Sequence, residues 1–147
     1  MKLCMIGTGY VGLVSGTCFS DLGNDVICVD RDQKKVNDLK KGIIPIYEPG
    51  LDELVLKNYK NNRLKFSTDL KDSVSKSDIV FICVGTPSKK NGSGADLSQI
   101  YNVAKEIRCS ISRFKIIITK STVSVTTGDE IEKIISQKVS KKLFSVV

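Results

Sequence analysis

The segment Ile6-Gly7-Thr8-Gly9-Tyr10-Val11-Gly12 constrains this chain more than any other part of it. It follows the apolar run Leu3-Cys4-Met5-Ile6 and opens a helix-length stretch, so a G-x-G-x-x-G pattern stands between a predicted strand and a predicted helix. Each glycine has a physical task in such a turn. Gly7 allows the tight exit from the strand, Gly9 lets the backbone approach a diphosphate closely, and Gly12 lets the helix pack against the sheet. The helix start then presents unpaired amides and a positive dipole end to an anion.

The glycines alone are a weak signal, but the next strand supplies their partner. Val26-Ile27-Cys28-Val29-Asp30 ends in an acid 18 positions after Gly12, close to the roughly 20 that a dinucleotide-binding fingerprint expects. Asp30 would accept hydrogen bonds from the adenosine ribose hydroxyls. It would also repel a 2′-phosphate, which favours NAD over NADP. The structural alternative makes Asp30 a turn or helix-cap residue, with Asp32 competing for that role.

The rest of the chain repeats the same alternation. Strands are predicted over residues 2–6, 25–30, 63–66, 78–84, 115–119 and 143–147, and helices over 10–22, 33–40, 51–59, 70–75, 97–109 and 127–138. Strands alternating with helices imply βαβ units around a parallel sheet. Ile79-Val80-Phe81-Ile82-Cys83-Val84 and Ile116-Ile117-Ile118 are continuously apolar, as strands covered on both faces are. In 97–109, Leu97, Ile100, Tyr101, Ala104 and Ile107 form one apolar stripe at helical spacing. The fold class expected is α/β, a Rossmann-like doubly wound parallel sheet with helices on both faces. Two loops carry turn chemistry: 42–50 with Pro45 and Pro49, and 86–94 with Pro87, Asn91-Gly92 and Gly94.

Composition removes several function classes. The 147 residues include no histidine, and none of the five cysteines forms a Cys-x-x-Cys pair, which argues against a zinc site or a histidine-based triad. Cys4, Cys28 and Cys83 lie in apolar runs, where a thiol acts as a small hydrophobe. An odd thiol count suits a reducing compartment, so the cytoplasm is expected. No apolar run approaches the roughly 18 residues a membrane helix needs, so no membrane partner is expected. The net charge of +7 reads either as attraction to a polyanion or as a lysine-rich solvated surface. The lysines are dispersed without interleaved aromatics, which favours the surface and no nucleic-acid partner.

Two strand ends carry polar residues where an α/β sheet binds its ligands. Thr86 follows Val84-Gly85, and Thr122 follows Thr119-Lys120-Ser121. Both threonines read either as cofactor contacts or as ordinary turn capping. Lys120 reads as a base if desolvated and otherwise as a solvated side chain.

Together these segments resemble the UDP-glucose/GDP-mannose dehydrogenase family, from Met1 to Val147. The likeness rests on Gly7-Thr8-Gly9-Tyr10-Val11-Gly12-Leu13-Val14, Pro45-Ile46-Tyr47-Glu48-Pro49-Gly50-Leu51, Ser77 through Pro87, Gly94-Ala95-Asp96-Leu97-Ser98 and Lys120-Ser121-Thr122-Val123. The Tyr-Glu-Pro-Gly-Leu loop is the most specific, because generic dinucleotide-binding domains lack it. The resemblance implies an NAD-binding domain over 1–147 of an enzyme that oxidises UDP-glucose to UDP-glucuronate with two NAD. GDP-mannose or a UDP-N-acetylhexosamine are alternative substrates. It implies cofactor contacts at Gly7, Gly9, Tyr10, Val11, Gly12, Asp30, Lys35, Thr86 and Thr122, with Thr122 also assisting proton chemistry as the catalytic residue. Where the family reads Ser-Thr-Val-Pro-Val-Gly-Thr, this chain has Ser121-Thr122-Val123-Ser124-Val125-Thr126-Thr127. The family's Asn-Pro-Glu-Phe-Leu motif, catalytic lysine and nucleophilic cysteine have no counterpart here. The expectation is therefore a domain truncated before the central helix and substrate domain, inactive alone, with UDP-glucose bound mostly through the C-terminal half. Its expected associations are homodimerisation or docking to a C-terminal half. A non-catalytic NAD-binding module, or one half of a split enzyme, is the rival reading.

Overall fold

Successive residues of the first strand point to opposite faces of a sheet, and both faces are covered. Leu3 and Met5 belong to one apolar cluster, Cys4 and Ile6 to another, and all four are at most 3% exposed. That alternation forces helices onto both sides. The computed structural model describes residues 1–89, 92 and 94–147; Asn91, singled out above for its turn chemistry, lies outside them.

In chain order the elements are β1 (Lys2–Ile6), α1 (Tyr10–Asp21), β2 (Asp25–Val29), α2 (Gln33–Lys40), α3 (Leu51–Lys60), β3 (Leu64–Ser67), α4 (Leu70–Lys76), β4 (Ile79–Ile82), α5 (Ser98–Ile107), β5 (Lys115–Thr119), α6 (Thr127–Ser136) and β6 (Phe144–Val146). The six strands are parallel, in the order β3-β2-β1-β4-β5-β6. This is the doubly wound arrangement expected from the sequence. The order reverses between β1 and β4, and the crevice at the carboxyl ends of those two strands is where such sheets bind ligands.

Helices α1, α2 and α3 bury Leu13, Val36, Leu39, Leu51 and Val55 on one face. On the other, α4, α5 and α6 bury Val74, Ile100, Val103, Ala104, Ile107, Ile131 and Ile135. Asp32 caps α2 by accepting from Lys35 N at 3.1 Å, and Asp69 caps α4 by accepting from Asp72 N at 2.9 Å. These caps pair amides that a helix start leaves open. Asp32, not Asp30, takes the capping role.

Boundaries differ from the sequence expectations by one or two residues, each for a local reason. Leu97 stands as the N-cap of α5, not inside it. Leu143 lies in a 3₁₀ turn, Lys141–Leu143, capped by Ser140, so β6 begins at Phe144. Strand β4 ends at Ile82, although Cys83 N still donates to Ile6 O at 2.8 Å. No helix among the described residues is long and apolar enough to cross a membrane.

Candidate cofactor-binding site

The glycine-rich turn is built by close backbone contact. Gly7 N donates to Val29 O at 2.8 Å, which ties the turn to β2. Gly7 has φ +102, in the left-handed region that favours glycine, and a Cβ there would lie 2.8 Å from Cys83 O. A Cβ on Gly12 would lie 1.9 Å from Gly7 O. The start of α1 is thus pressed onto the ends of β1 and β4. Gly9 differs, since a Cβ there would meet nothing within 4 Å. Its outer side is the open side of the turn.

No side chain caps α1. The first bond into the helix runs from Leu13 N to Gly9 O at 2.9 Å, so the amides ahead of it are the unpaired donors of a helix start. They coincide with the positive end of the helix dipole.

Asp30 stands beside this turn in a dense set of donors. Its Oδ2 accepts from Thr8 Oγ1 at 2.6 Å, Thr8 N at 3.1 Å and Lys35 Nζ at 3.0 Å, and its Oδ1 accepts from Asp32 N at 3.1 Å. Burial by itself would raise the Asp30 carboxyl. The Thr8 hydroxyl, the Asp32 amide, the Lys35 ammonium and the Thr8 amide outweigh it and hold the pKa at about 2, against an ordinary 3.8. A carboxyl whose folded pKa is depressed stabilises the fold above its unfolded value. The contribution, about 2 kcal/mol, drains away as pH falls from roughly 4 to 2. We expect urea-unfolding free energies of the wild type and Asp30→Asn to differ by that amount at pH 5 and to converge near pH 2. A difference that stays constant with pH would show that the carboxylate charge contributes nothing.

A cleft of about 350 Å³ opens from the glycine turn. Gly7, Thr8 and Gly9 form one wall, Asp30, Arg31 and Lys35 a second, and Cys83, Val84 and Gly85 a third. From α5 come Gln99, Asn102, Val103 and Glu106. The sequence-predicted residues Gly7, Gly9, Asp30 and Lys35 therefore share one cleft. Gly12 lies behind its wall, and Tyr10 and Val11 form the exposed first turn of α1, at 55% and 41%. Tyr10 donates its hydroxyl to Glu48 Oε2, which ties the Tyr-Glu-Pro-Gly-Leu loop to the start of α1.

Thr86 is half-buried and Thr122 exposed, and neither belongs to the lining of this cleft. They follow the adjacent strands β4 and β5, whose loops are joined where Ser121 Oγ donates to Val84 O at 2.6 Å. Lys120 is exposed, in keeping with a solvated side chain. Asp96 accepts from Ser98 N at 2.9 Å and so serves the entry to α5. Cys83 lines the cleft but is buried, and burial pushes its pKa up to about 12; burial first does the same to Cys4. Neither is a ready nucleophile.

Sequence reasoning passed over Thr8, which is fully buried, because it occupies a variable position of the glycine pattern. It also passed over Gln99, Asn102 and Glu106. Their 3- and 4-residue spacing beside the apolar stripe of α5 was the available signal.

The NAD-binding-domain model of the UDP-glucose/GDP-mannose dehydrogenase family matches residues 1–147. A UDP-glucose 6-dehydrogenase of Rhizobium meliloti (strain 1021) is 57% identical over 137 residues, covering 93% of this chain and 31% of that protein. One from Bacillus subtilis (strain 168) is 50% identical over 144 residues, covering 98% of this chain and 31% of that protein. Among solved structures, a ternary complex of GDP-mannose dehydrogenase from Pseudomonas aeruginosa superposes with a TM-score of 0.94 at 38% identity, covering 99% of this chain and 35% of that one. A UDP-glucose dehydrogenase from Pyrobaculum islandicum gives 0.92 at 33% identity, covering 99% and 34%. The chain spans about a third of the length of the curated relatives it matches.

Proposed function

Because this chain belongs to the UDP-glucose/GDP-mannose dehydrogenase family, we propose that its 147 residues form the NAD-binding domain of a UDP-glucose 6-dehydrogenase. The observation that carries this reading is the pairing of an uncapped helix start with the anchored carboxylate of Asp30, one on each side of a single cleft.

The residues present fit the cofactor. The open side of Gly9 leaves room for a diphosphate against the amides of Tyr10 and Val11, where the dipole favours it. Asp30 Oδ1 keeps acceptor capacity for a ribose hydroxyl, since only Asp32 N uses it, whereas Oδ2 is committed to Thr8 and Lys35. Asp30 thus grips the sugar through one oxygen, with the other fixing its orientation. Bound here, NAD supplies a hydride acceptor for oxidation of an alcohol. Thr86 and Thr122, on the loops after β4 and β5, take the nicotinamide side, and Thr122 is the candidate to orient a proton near the reacting centre. The nucleotide sugar as substrate, with homodimerisation or docking to a C-terminal half, belongs to the same reading and draws on the relatives' names. Five free thiols, three of them buried, fit the cytoplasm as compartment.

Isothermal titration with NAD tests the reading. The chain is expected to bind NAD, and Asp30→Ala to weaken it by roughly ten- to a hundredfold, the worth of a hydrogen bond to a charged group. Unchanged affinity in Asp30→Ala would remove the carboxylate from the site.

A further inference from the structure

A carboxylate at the end of the second strand discriminates against a 2′-phosphate by charge. Asp30 is not a bare carboxylate. Lys35 Nζ lies 3.0 Å from its Oδ2, with side-chain exposures of 27% for Lys35 and 15% for Asp30. Seen from the cleft, the cation screens much of the charge that would repel a phosphate. Arg31 lines the same cleft, is exposed, and makes no salt bridge among the described residues. Its planar guanidinium suits a phosphate held through two oxygens.

We infer that Arg31 and Lys35 make the adenosine-ribose end of this cleft accept a 2′-phosphorylated dinucleotide, NADP, as a second ligand, and that Lys35 sets how strongly NAD is preferred. The inference rests on the ribose lying at Asp30, as proposed above. The opposing charges are Asp32 and Glu106. Asp32 is turned onto its own helix, where it accepts from Lys35 N. Glu106 lines the cleft from α5. Of the charged residues that line the cleft, Asp30 and Glu106 are acidic and Arg31 and Lys35 basic, so the lining balances two against two, with Asp32 outside it. A 2′-phosphate forfeits the ribose hydrogen bond to Asp30, a loss of roughly ten- to a hundredfold. Part of that loss is recovered when the flexible Lys35 stem turns its ammonium to the phosphate, with Arg31 beside it. NADP is expected to bind about tenfold more weakly than NAD, not to be excluded.

The test is titration of the 147-residue chain with NAD and with NADP, at low and high salt, for wild type, Lys35→Gln and Arg31→Gln. Lys35→Gln keeps a donor for Asp30 and removes the charge. It is expected to weaken NADP about tenfold more than it weakens NAD, which widens the preference. Wild-type NADP binding should also weaken with salt more steeply than NAD binding. Arg31→Gln, at an exposed position, keeps the inference testable if Lys35→Gln does not fold. It should lower NADP affinity selectively. NAD binding with no measurable NADP binding, or equal losses for both ligands in the variants, would overturn the inference and leave the NAD reading intact. Failure of wild type to bind either dinucleotide would overturn both.

Discussion

A single methyl group added at position 12 is expected to destabilise the chain by more than about 3 kcal/mol, while the same methyl at position 9 is expected to leave stability unchanged and remove cofactor binding. The contrast follows from where each Cβ would point. At Gly12 it would lie 1.9 Å from Gly7 O and 3.1 Å from the Cβ of Cys83. The first of these is main chain, bonded through Gly7 N to Val29 O, so no side chain can turn aside. Relief requires α1 to lift off the sheet, exposing Leu13, which is fully buried. Overpacking a core typically costs 1–3 kcal/mol, and a backbone clash that separates two layers belongs at or above the top of that range, a large part of the roughly 5–15 kcal/mol that holds a domain together. At Gly9, φ is −74 and ψ −170, a conformation alanine adopts freely. Replacing a glycine in such a conformation even stabilises slightly, because the unfolded chain has less freedom to lose. The added methyl would instead stand on the open side of the turn, where a diphosphate must come close. Urea unfolding and NAD titration of Gly12→Ala and Gly9→Ala separate the two effects. We expect Gly12→Ala to shift the unfolding midpoint strongly, and Gly9→Ala to unfold like wild type while losing about a hundredfold or more in NAD affinity, equivalent to roughly 3 kcal/mol. A Gly9→Ala variant that binds NAD normally would place the diphosphate elsewhere.

These two glycines also mark how far the sequence could be read. The strand-glycine-helix pattern located the turn, and apolar runs located the inner strands β1, β2, β4 and β5, because a strand covered on both faces has little freedom in composition, whereas the edge strands β3 and β6 mix buried with exposed positions. Element ends were less legible. Leu97 belongs by spacing to the apolar stripe of α5 and Leu143 by character to the apolar residues of β6, and only the local backbone decides that one caps a helix and the other turns in a 3₁₀ bend. The site divides in the same way. Asp30 is visible as an acid at the end of a strand. Its contact with Thr8 spans 22 residues of chain and depends on β1 and β2 lying side by side, which no local pattern encodes. The same holds for Thr86 and Thr122, whose loops are joined through Ser121 only because β4 and β5 are neighbours.

Charge was the least legible property of all, and Lys115 shows why. The lysine-rich composition reads as a solvated surface, yet Lys115, the first residue of β5, is fully buried. Its Nζ donates to Ser77 O at 2.6 Å and Ser75 O at 3.2 Å, just beyond and within the last turn of α4. Burial first, and then the Arg113 charge, lower its pKa. We expect Lys115→Ala to cost roughly 3–5 kcal/mol, since it removes a fully packed stem and leaves the Ser75 carbonyl without this donor. Lys115→Met keeps most of the volume, and Ser77 O still accepts from Arg113 Nη2 at 3.2 Å, so its cost should be nearer 1–2 kcal/mol. The sign of the pH dependence gives an independent check. A lysine whose folded pKa is depressed binds its proton less readily folded than unfolded, so the penalty for burying the charge is present at neutral pH. It is relieved as pH rises through the folded value toward the ordinary 10.5. Wild type should therefore gain stability relative to Lys115→Met as the solution is made alkaline. Chemical denaturation of the three proteins across that range measures both quantities. Equal losses in the alanine and methionine variants would mean that the hydrogen bonds, not the packed stem, hold β5 against α4. A wild-type advantage that shrinks on the alkaline side would mean that the buried ammonium is favoured over the free amine.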